Sequence, residues 1–189
     1  MDDEPSFGEL VADFLGRKDA QIQVTTATSA ADGIERLTAG DEVFDCIVSD
    51  YDMPGKTGLE FLDEVRDRYP DLPFILFTGK GSEEVASEAI SAGATDYLQK
   101  RGGTEQYDLL ANRVRNVVEQ YRSTQERDRV YQALETATQG IGLLDDNGEY
   151  IYLNEAYTDL YGYDTEDLIG EHWSRLYPNE EAARFEGLC

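Results

Sequence analysis

Through its first 120 residues the chain alternates short apolar runs with helical stretches, and this alternation limits the fold more than any other feature. The runs VFDCIVSD (43–50), PFILFTG (73–79) and TDYLQK (95–100) carry apolar residues at neighbouring positions rather than at every second one. Strands of that kind are buried on both faces, as in a parallel sheet covered by helices. IQVTTAT (22–28) reads as a further, shorter strand. Between the strands lie a helix over about 5–17 behind Pro5, with Phe7, Leu10, Val11, Phe14 and Leu15 at helical spacing, and SAADGIERLTAG, closed by Gly40. TGLEFLDEVRDRY, stopped by Pro70, and SEEVASEAISAG follow, and a last helix starts near Thr104. The expected class is α/β with a doubly wound parallel sheet.

The last helix is long. Leu110, Val114, Val117 and Tyr121 form an apolar stripe, the charged run STQERDR follows, and Val130, Tyr131 and Leu134 resume it. The pattern predicts a connecting helix over 104–138 that packs on the sheet through its first half and then leaves as a linker or short coiled coil, a possible homodimer contact. Beyond Ala137 the pattern changes: GIGLLDDNGEYIYLN is two strands around an Asp-Asn-Gly turn, and EAYTDLYG, DTEDLIG and EHWSRLYP read as short helices. The expected domains are therefore 1–121, the connecting helix 104–138, and a smaller α+β region over 130–189.

Charge excludes some partners. Forty acids against 16 bases leave a net charge of −24, so binding to nucleic acid or an anionic membrane is not expected, because phosphates are held by cationic surface. The regular apolar pattern argues against disorder. Only 4 of the 16 bases are lysine, and an acidic, lysine-poor, well-patterned chain resembles cytoplasmic proteins of salt-loving archaea, where salt screens the repulsion. No apolar stretch approaches the ~20 residues that span a bilayer, and there is no signal-peptide pattern. A cytoplasmic location is expected. Cys46 lies in an apolar run and reads as core, and Cys189 carries no readable signal.

In a doubly wound sheet, functional groups collect at the carboxyl ends of the strands. Those ends supply Asp50, Thr78 and Lys100, and Asp2 and Asp3 stand at the mouth of the first helix. Three carboxylates together suit a hard cation such as Mg2+, which prefers oxygen ligands and retains waters. A lysine and a threonine beside it can hold phosphoryl oxygens, so the set suits transfer of a phosphoryl group to a carboxylate nucleophile. Taken singly, a strand-terminal Asp or Thr is ordinarily a cap or turn residue and a lysine a solvated charge. Only the five together, in this order, point to phosphoryl chemistry.

On DDE at the start, FDCIVSDYDMPGKTGLEFL, PFILFTGKG and SAGATDYLQK, the first 120 residues resemble the receiver domain of two-component response regulators. The resemblance implies a flavodoxin-like sheet of order 2-1-3-4-5. It also implies that Asp50 accepts phosphate from the phosphohistidine of a histidine kinase. Asp3 and Asp50 would be direct Mg2+ ligands, the backbone carbonyl of Asp52 a third, and Asp2 a ligand through water. Thr78 and Lys100 would contact the phosphoryl oxygens, and Tyr97 would be the aromatic switch partner of Thr78. Asp52 and Lys80 flank the site and would tune the phosphate lifetime. One departure is that Arg101-Gly102-Gly103 follows the lysine where the family usually has proline.

In the family the acid pair ends the first, central strand, whereas only Met1 precedes it here. The expectation is a start upstream, and for this sequence an empty strand slot with IQVTTAT free of the sheet. From about Val130, the hairpin, NEAYTDLYGY and DLIG resemble the first half of a PAS sensor domain. His172 reads as a solvated or capping residue, and Trp173 stands where light-sensing PAS domains carry a cysteine, which excludes that flavin chemistry. Trp173, Tyr177, Tyr157, Tyr161 and Tyr163 are expected to line its core. No kinase block is visible, so an enzyme is not expected beyond the receiver's own aspartyl phosphorylation and dephosphorylation, and output passes through a partner or further sequence. The competing reading is a phosphohydrolase resembling the haloacid-dehalogenase family, with DYDMPGKTG as its Asp-x-Asp and Asp145-Asp146 as its acid pair. A third is a nonfunctional fragment of a longer receiver-PAS protein.

Overall fold

The computed structural model describes residues 1–40, 42–79 and 83–176. The chain divides into two compact units, Met1–Thr124 and Gln125–Cys189. The first unit contains α1 (Pro5–Lys18), α2 (Ala30–Ala39), β1 (Ile47–Ser49), α3 (Gly58–Arg68), β2 (Phe74–Thr78), α4 (Glu83–Ser91), β3 (Asp96–Gln99) and the start of α5 (Glu105–Glu135). Among the described residues its sheet has three parallel strands in the order β1-β2-β3.

The unalternating strands are buried on both faces. All five residues of β2 are buried. Phe74 and Leu76 pack with Phe61, Leu62 and Val65 of α3, while Ile75 and Phe77 pack with Val11 and Leu15 of α1 and Leu110 and Val114 of α5. Local signals fix the helix ends. Ser29 accepts a hydrogen bond from the Asp32 amide, Thr57 and Glu60 form a reciprocal capping box, and Gly40 closes α2 in the left-handed region. Cys46 is half-buried, and burial, assisted by Asp45, pushes its thiol up to about 12.

One expected strand is absent. Residues 22–28 form no strand and do not pair with β1. In the 2-1-3 order the neighbour of that segment is the stretch directly before Asp2, where this sequence has Met1 alone. Met1 does what one residue can: its amino group donates to the Val48 carbonyl at 2.7 Å and its carbonyl accepts from the Asp50 amide at 3.0 Å. The Asp2 amide then donates to the Ala27 carbonyl at 3.2 Å on the other side. Behind this single rung lies a cavity of ≈ 580 Å³ between Ile22 and Val24 on one flank and Cys46 and Val48 on the other, with Leu15 and Leu37 on its two faces.

In the second unit β4 (Gly142–Leu144) and β5 (Tyr150–Leu153) pair antiparallel, followed by α6 (Glu155–Tyr161) and α7 (Thr165–Leu168). Asp145 closes the hairpin turn, its carboxylate accepting from the amides of Asn147 and Glu149, both at 2.9 Å. Asn154 is fully buried. Its amide group donates to the carbonyls of Leu134 and Gln139 and accepts from the amides of Ile141 and Tyr157, stitching the end of α5 to β4 and α6. The small core comprises Tyr150, Leu153 and Leu168 with Tyr157, Trp173 and Leu176. Within EHWSRLYP, expected as a short helix, the described residues form a 3-10 turn, Trp173–Leu176. Tyr163, beyond the left-handed Gly162 cap of α6, is 42% exposed rather than core. Tyr177, Lys80 and Cys189 lie outside the described residues. No helix among the described residues is long and apolar enough to cross a membrane.

The slot yields the first prediction. Fusing five alternating valines and isoleucines ahead of Met1 supplies both flanks with hydrogen-bond partners and fills apolar space. Burial at ~1.5–3 kcal/mol per side chain against ~1–2 kcal/mol of ordering per residue leaves a net gain of roughly 4 kcal/mol over the five residues. Chemical denaturation should show a higher midpoint, with the residue 22–27 amides newly protected from hydrogen exchange.

Candidate functional site

The three strands end at one edge of the sheet, and there the chain gathers its charges. Asp50 follows β1. Its Oδ1 accepts from the Tyr51 amide at 2.7 Å, which fixes the carboxylate and leaves Oδ2 facing Lys100. Asp2 is 7% exposed; its Oδ1 accepts from the Glu4 amide at 3.0 Å, tying the acid to the entrance of α1. Asp3 is exposed, yet Asp2, Asp3 and Asp50 each offer an oxygen within 4.8 Å of the others. That set of hard oxygen donors fits a divalent cation such as Mg2+.

Lys100 follows β3. Its amide donates to the Thr78 carbonyl at 2.7 Å, continuing the β2–β3 ladder by one rung, and its side chain returns over the sheet edge. The ammonium lies 2.6 Å from Asp2 Oδ2 and 2.9 Å from Asp50 Oδ2. It also lies 4.3 Å from the centre of the Phe7 ring. Burial of the ammonium works to lower its pKa, but the hydrogen bonds and charges of Asp2 and Asp50 outweigh it, and the net shift is upward. A paired, largely buried ammonium thus neutralises part of a carboxylate cluster that would otherwise repel itself.

Of the residues expected from sequence, Asp2, Asp3, Asp50 and Lys100 come together. Thr78 closes β2 at 1% exposure and is joined to Lys100 through the backbone bond just described. Tyr97 is half-buried against the core on the α2–α3 side of the sheet. Asp52 is exposed in the loop after Asp50. The acid pair offered by the hydrolase reading lies elsewhere: the Asp145 carboxylate is committed to its own hairpin turn.

Two residues of the site escaped the sequence reading. Phe7 was visible only as an apolar helix residue. Gly58 opens α3 against the loop that follows Asp50, where a Cβ would stand 2.2 Å from the Asp50 carbonyl oxygen and 2.9 Å from Leu76 Cδ1. Its amide donates to the Tyr51 carbonyl at 2.7 Å, so backbone meets backbone with no space for a side chain. The signal that could have found it is the glycine directly after a helix N-cap threonine, a position that ordinarily tolerates any residue.

Residues 1–115 match the response regulator receiver domain family, and residues 134–188 match the PAS fold. The response regulator protein PilR of Pseudomonas aeruginosa is 33% identical over 100 residues, 53% of this chain and 22% of its own length. The transcriptional regulatory protein FixJ of Azorhizobium caulinodans is 37% identical over 100 residues, covering 53% of this chain and 46% of its own. The chain spans less than half the length of these relatives. Among solved structures, a response regulator receiver domain protein from Clostridium thermocellum superposes with a TM-score of 0.58 at 25% identity, over 65% of this chain and 94% of that one. NtrX from Brucella abortus superposes with a TM-score of 0.57 at 28% identity, over 72% of this chain and 30% of that one. These matches favour the receiver over the hydrolase.

Two predictions follow from the geometry. Gly58→Ala forces the Asp50 carbonyl away and should cost roughly 2 kcal/mol or more of stability, measurable as a lower denaturation midpoint. Lys100 binds its proton more tightly folded than unfolded. Its contribution is complete below the ordinary value of 10.5 and is lost as pH rises through the higher folded value. Above pH 10.5 the midpoint should therefore fall more steeply in the wild type than in Lys100→Met.

Proposed function

The chain belongs to the response regulator receiver domain family, and from that premise we propose that Asp50 is the phosphoacceptor of a two-component phosphorelay, loaded by the phosphohistidine of a histidine kinase. The observation that carries the reading is the Asp50 carboxylate at the end of β1, with one oxygen held by a backbone amide and the other facing Lys100. The held oxygen orients the group. The facing oxygen attacks phosphorus as the bond to the histidine nitrogen breaks. Lys100 then follows the charge from the carboxylate to the phosphoryl oxygens, and the Thr78 hydroxyl contacts a second oxygen, with Tyr97 as its switch partner. Asp2, Asp3 and Asp50, with the Asp52 carbonyl, are the residues that would hold Mg2+, which when bound neutralises phosphoryl charge. This is self-phosphorylation at a carboxylate rather than turnover of a separate substrate.

The finer reading extends along the chain. Residues 1–121 act as the receiver, 104–138 as the connecting helix and 130–189 as part of a PAS sensor coupled to it, and a homodimer forms through that helix. The acid-rich, lysine-poor composition supports a cytoplasm of high salt, as in haloarchaea, and argues against partners that are nucleic acid or membrane.

The test is incorporation of phosphate from acetyl phosphate with Mg2+. The wild type should form a hydroxylamine-sensitive acyl phosphate, and Asp50→Asn should lose it. Undiminished acyl phosphate in Asp50→Asn would place the acceptor elsewhere.

A further inference from the structure

We propose that Phe7 is a positioning residue for Lys100: the face of its ring holds the ammonium in line with Asp2 and Asp50. The proposal rests on the reading of Lys100 as the contact to the phosphoryl oxygens. Phe7 lies in the first turn of α1, four residues after Asp3, so the segment that delivers the acids also delivers the ring. The Lys100 Nζ stands 4.3 Å from the ring centre, with the Phe77 ring at 5.9 Å. A cation at that distance is attracted by the electron-rich ring face, most strongly where water is partly excluded.

The ring is itself held in place. Phe77 of β2 lies 6.1 Å away and Tyr107 of α5 6.4 Å away, both tilted against it, in the core that contains Val11 and Leu110. Its position is therefore set by the sheet and two helices and not by the charges of the site.

Lys100 needs such a wall. Its side chain is a flexible four-carbon stem ending in three rotatable donors, and both anionic partners lie at the sites of chemistry. A cation on the acid cluster competes for the Asp2 and Asp50 oxygens, and phosphorylation converts the Asp50 carboxylate into an acyl phosphate. The Phe7 ring is altered by neither event. Of the contacts described for the ammonium, those with the Phe7 and Phe77 rings persist through the cycle, and Phe7, the nearer of the two, keeps Nζ within reach of the acceptor while the anions change.

The experiment replaces Phe7 in the full chain by phenylalanines bearing one, two and three ring fluorines, which weaken the ring's attraction for a cation while keeping its shape. Phe7→Tyr and Phe7→Leu complete the series. The expected result is a stepwise fall in the maximal rate of Asp50 phosphorylation from acetyl phosphate, on the order of 5-fold across the series. Across the fluorinated variants the KM and the unfolding midpoint should hold, and Phe7→Tyr should retain the wild-type rate. A flat series, or a fall that tracks the midpoint, overturns the proposal. If the wild type does not label, the phosphoacceptor reading has failed, and the decision passes to NMR. The ring should shift the Lys100 ε-methylene protons upfield, and that shift should vanish in Phe7→Leu. Its persistence there, or its absence from the wild type, overturns the placement of the ammonium on the ring.

Discussion

The ion triad of Lys100 with Asp2 and Asp50 holds the working end of this molecule together. It joins three pieces of chain that are remote in sequence: the entrance to α1, the end of β1 and the end of β3. A lone ammonium or carboxylate at such low exposure carries a large desolvation cost, and two facing carboxylates add repulsion. Each charge is tolerable there because the others are present. The carboxylates can therefore stand this close together because Lys100 supplies positive charge between them.

Most of the fold and the centre of the site were legible in the sequence for one reason. Strands buried on both faces announce a parallel sheet, and in such a sheet side chains at successive strand ends must converge. Asp50, Thr78 and Lys100 could be named from that rule, and the two acids from their place before α1. What was not legible depends on distances between segments. Phe7 has the same spacing as any core residue of an amphipathic helix, and only its approach to Lys100 gives it a second role. Gly58 looks like an ordinary residue after a cap until the Asp50 carbonyl is seen against its Cα. IQVTTAT has strand composition, but pairing and not propensity makes a strand, and among the described residues the rung it makes toward the sheet is the Asp2 amide on the Ala27 carbonyl. Tyr163 differs for a local reason: the left-handed Gly162 before it turns the chain away from the core that Tyr157 joins.

The second unit obeys a different economy. Its core among the described residues is small, and polar connections carry much of its order. Asn154 satisfies carbonyls at the end of α5 and amides of two other segments through one side chain. The Tyr152 hydroxyl donates to Glu135 at 2.6 Å, and burial together with that carboxylate pushes the phenol up to about 12. Buried polar groups with several partners specify one arrangement more sharply than apolar contacts, since most alternatives leave a donor or acceptor bare. The same dependence makes the unit sensitive to single substitutions at Asn154, where an apolar replacement strands several backbone groups at once.

Sheet pairing and site chemistry are coupled through Met1. Its carbonyl accepts the amide of Asp50 itself, and the next residue, Asp2, is paired to Ala27 on the opposite flank. The distance between the acid pair and Asp50 is thus set by one rung of parallel pairing rather than by contacts among the acids, which repel. A buried amino group, its pKa lowered chiefly by desolvation, sits at that rung beside a cavity lined by both apolar and polar side chains. Whatever stabilises pairing on either side of Met1 therefore also tightens the register of Asp2 and Asp3 against Asp50. In this fold the precision of the candidate metal site is inherited from backbone hydrogen bonds in the centre of the sheet.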